Sequence, residues 1–217
     1  MITSILFDMD GVLIDSQPMH YEADVETLKH FGVCVTVKDV EKYAGTTNSD
    51  RYTRFKKDYH MDDSVEAMVA FREQCIMDMI RSRDISAIDG IRELLKDIRC
   101  HHLKTAVASS SSYDLIYAVL DKLSIRDCFD QVVSGEDLEN SKPAPDIFLK
   151  TAHQLESDPE ECVVIEDSGN GVLAGIRAGM RVVGYVNPTS GKQDLSPATR
   201  VITSFLEITA NDLMKLS

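Results

Sequence analysis

No run of apolar residues in this 217-residue chain is long enough to span a bilayer, and no basic stretch followed by an apolar one opens it. A soluble protein is expected, with no membrane partner and the cytoplasm as its compartment. Cysteine is sparse. The five residues Cys34, Cys75, Cys100, Cys128 and Cys162 are odd in number, widely spaced and free of any Cys-x-x-Cys pair, so neither a disulfide framework nor a zinc site is expected. Positive charge is also short, with 23 Lys and Arg against 36 Asp and Glu and a formal net charge of -13. Nucleic acid and anionic membranes select basic surfaces and are not expected as partners. An anionic small molecule gains nothing from the overall field, so any phosphate site must be built locally. Internal repeats, low-complexity tracts and heptad runs are absent.

What is present is an alternation of short apolar runs and amphipathic stretches. Residues 5–7, 105–108, 163–165 and 182–186 read as buried parallel strands. A weaker strand is expected at 131–133 and an edge strand at 200–202. Helical spacing of apolar residues covers 90–99 and 112–123. Further helices are expected at 145–155, with Pro145 at its first position, and at 168–178, with Ser168 as N-cap. This rhythm predicts an α/β fold, an open parallel sheet covered by helices on both faces.

Residues 17–85 interrupt it with helical patterns at 19–31, 38–43, 49–59 and 64–81, turns at Gly32-Val33, Gly45 and 84–90, and no strand. The segment is too long for a crossover loop. It predicts a small α-helical cap domain (17–85) inserted after the first strand, above Asp8 and Asp10, in a core made of 1–16 and 86–217.

The first strand runs into Asp8-Met9-Asp10-Gly11. Open α/β sheets place their sites beyond the carboxyl ends of the strands, and residues i and i+2 of an extended chain point the same way. Two carboxylates so placed need a cation, a shared proton, or both; the same four residues could also be an ordinary turn. Three further groups sit just after apolar runs or in the loops between them. Ser109 closes an apolar run, with Ser110, Ser111 and Ser112 leading into a helix whose N–H groups suit an anion; Ser111 and Ser112 read as caps. Lys142 lies in Ser141-Lys142-Pro143-Ala144-Pro145, and Glu166-Asp167 ends another apolar run. Together they supply what phosphoryl transfer requires: carboxylates for Mg²⁺, and a lysine, a hydroxyl and amides for the phosphoryl oxygens. One of Asp8 and Asp10 attacks and the other handles protons; the spacing does not say which.

Asp8-Met9-Asp10-Gly11, Ser109, Lys142 and Glu166-Asp167, in that order, resemble the four signature motifs of the haloacid dehalogenase (HAD) superfamily. Within it the chain is most similar to the β-phosphoglucomutase-like hydrolases, with a small helical cap on a Rossmann-like core. Asp15-Ser16, His20, Gly45 and Ser141-Lys142-Pro143-Ala144-Pro145-Asp146 share in that likeness. The resemblance implies Asp8 as nucleophile and Mg²⁺ ligand, and Asp10 as general acid and base that also binds the metal through its carbonyl. It implies Asp167 as ligand, Glu166 as an outer or alternate ligand, and Ser109, Ser110 and Lys142 around the phosphoryl group.

Asp10 itself argues for phosphate esters, because the dehalogenases of the superfamily lack an acid there. The phosphonatases use a cap lysine, but Lys29, Lys38, Lys42, Lys56 and Lys57 read as solvated. β-Phosphoglucomutases carry a lysine before the cap-loop glycine and an arginine three residues after it; Ala44 and Asn48 stand there instead. The reading is therefore a phosphatase for a small phosphate monoester, with a mutase second and a phosphorelay receiver module a distant third. Thr46, Thr47 and Asn48 are candidate substrate-reading groups. Arg51 is near but out of register, Arg72 reads as a surface residue that could reach the cleft, and His20 as a link to Asp10 or a structural histidine. A monomer suffices for this chemistry.

Overall fold

The computed structural model describes residues 1–43 and 46–216. In chain order, β1 (Ser4–Phe7) is followed by α1 (Gln17–His30), α2 (Val37–Glu41), α3 (Asn48–Asp58) and α4 (Val65–Ser82). Helix and strand then alternate through α5 (Ile91–Cys100), β2 (Lys104–Ser109), α6 (Tyr113–Lys122), β3 (Gln131–Ser134), α7 (Asp146–Gln154), β4 (Cys162–Glu166), α8 (Gly169–Arg177), β5 (Arg181–Tyr185), β6 (Arg200–Ile202) and α9 (Ala210–Met214). The chain divides into two compact units, one made of Met1–Asp15 with Ile85–Ser217, the other of Ser16–Asp84.

The first unit is an open, Rossmann-like sheet in the order β3-β2-β1-β4-β5-β6, with each described pair parallel. β1 and β4 are buried along their whole length, which is why both read as uninterrupted apolar runs. The two strands with the weakest sequence signal, β3 and β6, lie at the two edges. Helix α5 buries Ile91, Leu94, Leu95 and Ile98 on one face, the spacing that predicted it. Pro145 departs from expectation: it is the N-cap of α7, one residue before its first turn. Two short paths connect this unit to the other. They run side by side, Ile14 bridging Ala87 and the Ile88 N–H donating to the Leu13 carbonyl at 3.0 Å.

The second unit is helical. Leu28, Val40, Tyr43, Tyr52, Phe55, Met61 and Met68 form its apolar core, with the Phe55 ring edge-on to both Tyr43 and Tyr52. Beside that core lies a buried charge cluster. Asp24 on α1 accepts from Arg51 Nη1 and Arg72 Nε, each at 2.8 Å, and from the Tyr52 hydroxyl at 3.0 Å. Arg72 is thus no surface residue. An acid inside the buried stripe of α1 is stable only with cations beside it, and α3 and α4 each supply one.

Candidate active site

β1 sits between β2 and β4, and their carboxyl ends converge. Asp8, one residue beyond β1, donates its N–H to the Ile165 carbonyl at 3.0 Å, so the strand geometry continues through the residue that carries the carboxylate. Lys142 reaches in from the loop before α7. Its Nζ is 2.5 Å from Asp8 Oδ1, 2.8 Å from Glu166 Oε1 and 3.1 Å from the Ala108 carbonyl. One ammonium therefore joins the ends of β1, β2 and β4. Glu166 is fixed on its other oxygen as well, where Oε2 accepts from both the N–H and the hydroxyl of Ser168. Ser168 in turn caps α8, accepting from the Gly171 N–H at 3.0 Å.

Two glycines make this crowding possible. A Cβ on Gly171 would stand 1.7 Å from Glu166 Oε1. On Gly11, which has φ +82°, it would stand 2.0 Å from Asp167 Oδ2; only glycine tolerates both that backbone and that approach.

Asp8, Glu166 and Asp167 each bring a carboxylate oxygen within 4.8 Å of the others, and all three are buried. Burial lowers the affinity of Lys142 for its proton, but Asp8 and Glu166 outweigh that and hold its pKa above the usual lysine range. The lysine is a cation, and it is outnumbered. Burial pushes Asp8 up, Lys142 pulls it down, and Glu166, Asp10 and Asp167 push it up again; the net direction is well above an ordinary carboxylate. Asp167 is pushed up to about 7, first by burial and then by Glu166, against the hydrogen bond from Ser190 and the charge of Lys142. A buried set of hard oxygen donors with excess negative charge fits Mg²⁺.

Asp10 is half-buried, and its Oδ2 accepts from the Ser111 hydroxyl at 2.9 Å; its carboxylate is not part of the three-acid group. Ser109 is buried at the end of β2, its hydroxyl accepting from the Ser111 N–H at 3.1 Å, and Ser110 is exposed. Ser111 is thus no simple helix cap. Its carbonyl is held by the Ser134 hydroxyl, while Ser112 occupies the N-cap of α6 without a side-chain bond.

In the helical unit, His20 Nδ1 lies 2.9 Å from Arg72 Nη2, and Arg51 Nη2 donates to the Thr46 carbonyl at 3.2 Å. The Thr46 hydroxyl donates to the Tyr43 carbonyl, Thr47 is the N-cap of α3, and Asn48 opens that helix. Gly45 lies outside the described residues.

The family profile described as haloacid dehalogenase-like hydrolase matches residues 5–185. The chain belongs to that family, and it is an enzyme of the phosphatase type. It is 30% identical over 227 residues to hexitol phosphatase B of Escherichia coli O157:H7, covering 98% of this chain and 97% of that protein. It is 31% identical over 213 residues to the bifunctional riboflavin kinase/FMN phosphatase of Arabidopsis thaliana, covering 94% of this chain but 54% of that longer protein. The crystal structure of β-phosphoglucomutase from Clostridium difficile superposes with a TM-score of 0.83 at 27% identity, over 99% of this chain and 96% of that one. Among the described residues, no helix is long and apolar enough to cross a membrane.

Two groups escaped the sequence reading. Asn187 and Ser190 follow β5; Asn187 Nδ2 donates to the Gly11 carbonyl at 3.1 Å and the Ser190 hydroxyl to Asp167 Oδ2 at 2.5 Å. The signal was available, since both are polar residues just past a buried parallel strand.

Proposed function

We propose that the protein hydrolyses a small phosphate monoester, such as a sugar phosphate, in a Mg²⁺-dependent reaction through an aspartyl-phosphate on Asp8. The observation that carries this reading is the Lys142 ammonium bridging Asp8 and Glu166 with Asp167 in reach. Asp8, Asp167 and the Asp10 carbonyl are the assigned metal ligands, with Glu166 behind them. Bound there, the metal supplies positive charge to the phosphoryl oxygens.

The chain's own residues do the rest. Asp8 attacks phosphorus through a carboxylate oxygen. Lys142 offsets the repulsion between that carboxylate and the phosphate and tracks the charge that spreads over the equatorial oxygens. Ser109 and the N–H groups leading into α6 hold the transferring group, with Ser110 at its edge. Asp10, steadied by Ser111, gives its proton to the departing alkoxide and later takes one from the water that attacks the aspartyl-phosphate. The helical unit is assigned the part of a cap, with His20, Arg51, Arg72 and the segment 45–48 as its substrate-facing candidates. Its buried arginines are already engaged by Asp24, and Thr46 and Thr47 by local bonds, which leaves Asn48 as the strongest reader among them. The free cysteines support a reducing cytoplasm as its compartment, and the reading takes a monomer as the working form.

Sugar-phosphate mutase activity is the second reading, favoured by the likeness to β-phosphoglucomutase. The name of hexitol phosphatase B, and the Ala44 and Asn48 departures, favour hydrolysis. A screen of phosphate esters that includes β-glucose 1-phosphate decides, with inorganic phosphate and glucose 6-phosphate measured separately. Phosphate release lost to EDTA and restored by Mg²⁺ is expected. Isomer without phosphate would establish the mutase, and EDTA-resistant turnover would remove the metal from the reaction.

A further inference from the structure

The segment after β5 grips two neighbouring parts of the site at once. Asn187 holds the Gly11 carbonyl, and Ser190 donates to Asp167 Oδ2. That same oxygen rests against the Gly11 backbone, where a Cβ would be 2.0 Å from it. Asp167 Oδ2 thus accepts from the Ser190 hydroxyl and is the oxygen nearer to Gly11, with Oδ1 at 3.1 Å from the same Cβ position.

Ser190 is itself anchored. Its carbonyl accepts from Gln193 Nε2 at 2.8 Å, and Gln193 Oε1 accepts from the Gly169 N–H at 3.2 Å, at the start of α8. The Thr189 hydroxyl donates to Asp15, and its N–H to Asn187 Oδ1. The segment borders a cavity of about 400 Å³ lined by Asp167, Val186, Asn187, Lys192, Gln193 and Leu195, among others. Asn187 and Ser190 are buried, and the bonds named above tie the segment to the start of α8 and to Asp15.

We infer that Ser190 is a positioning residue for the metal, holding the Asp167 carboxylate through Oδ2 in the group it forms with Asp8 and Glu166. This rests on the reading of the three acids as a divalent-metal site. Hydrogen-bond partners of metal-ligating side chains typically contribute 10- to 100-fold to metal affinity. The hydroxyl, and not the bulk of the side chain, is the active element.

The test is direct Mn²⁺ binding to the EDTA-stripped full chain, followed by electron paramagnetic resonance of the free ion, with the Mg²⁺ dependence of turnover beside it. Ser190→Ala is expected to weaken Mn²⁺ binding by roughly 10-fold or more. The Mg²⁺ concentration giving half-maximal turnover is expected to rise by a similar factor. Ser190→Thr retains a hydroxyl and is expected to bind nearly as wild type, whereas Ser190→Val, of the same shape, is expected to bind as weakly as Ser190→Ala. Equal affinity in wild type and Ser190→Ala overturns the inference. Equal losses in the Thr and Val variants also overturn it, by showing that shape alone matters. Wild type that binds no Mn²⁺ sinks the metal reading itself, a separate outcome.

Discussion

Raising the pH of the metal-free protein from about 4 to about 7 is expected to weaken its fold. Asp167 has its folded-state pKa pushed from the ordinary 3.8 up to about 7. Between those values the folded chain keeps a proton that the unfolded chain has released, so stability falls as pH rises and levels off above about 7. At about 1.4 kcal/mol for each pH unit, the interval amounts to a loss of roughly 4 kcal/mol, and Asp8, raised in the same direction, adds to it. The depressed acids do not cancel this effect. Asp39, Asp137, Asp194 and Asp212 have pKa values below the ordinary one, so their support is complete above about pH 4.

The assay is a series of urea melts in EDTA between about pH 4.5 and about pH 7.5, repeated in Mg²⁺. With a slope of about 2 kcal/mol per molar urea, the EDTA midpoint should drop by roughly 2 M across the range. Mg²⁺ should remove most of that drop, because it favours the ionised acids. Asp167→Asn should flatten the EDTA series without metal. A midpoint in EDTA that holds level or climbs with pH would refute the picture of three buried carboxylates short of a cation.

Other outcomes test separate parts of the molecule. Asp8→Asn is expected to abolish turnover while its EDTA melt at about pH 7 is no weaker than wild type, since one repelling charge is gone; near-native rates would end the nucleophile assignment. Gly171→Ala drives a methyl group into Glu166 Oε1 and is expected to cost about 3 kcal/mol by breaking the Glu166–Lys142 pair, measured as a lowered urea midpoint together with lost activity. Asp24→Ala leaves Arg51 and Arg72 buried without their shared carboxylate. Destabilisation of about 3–5 kcal/mol is expected, seen as faster hydrogen exchange in α1, α3 and α4, and unchanged protection there would contradict the account of the cluster.

Much of the fold could be read before the structure because β1, β2, β4 and β5 are buried almost throughout, and burial on both faces imposes unbroken apolar runs. The same logic singles out Asp8, Glu166 and Asp167, each at or just past the end of such a run, whereas Lys142 stands out as a lysine in a proline-flanked loop before α7. Asn187 and Ser190 obey that rule too, but serine and asparagine after a strand read as ordinary turn formers. From sequence Ser111 reads as a cap, because its hydroxyl partner, Asp10, lies 101 positions away. The Asp24 cluster was illegible for a related reason. Charge at helical spacing signals a solvated face unless the partner is visible, and Arg51 and Arg72 come from helices 27 and 48 residues downstream. Asp24 did carry one clue, sharing a helix face with the buried Thr27 and Leu28.

The parallel passage of Leu13-Ile14 beside Ala87-Ile88 gives this architecture a natural graft point. Everything that holds Asp8, Lys142 and Glu166 together belongs to the unit made of Met1–Asp15 and Ile85–Ser217, while α1 to α4 belong to the segment inserted between those two threads. Evolution or an engineer can exchange the whole helical segment between those two threads without unpicking a single strand of the sheet.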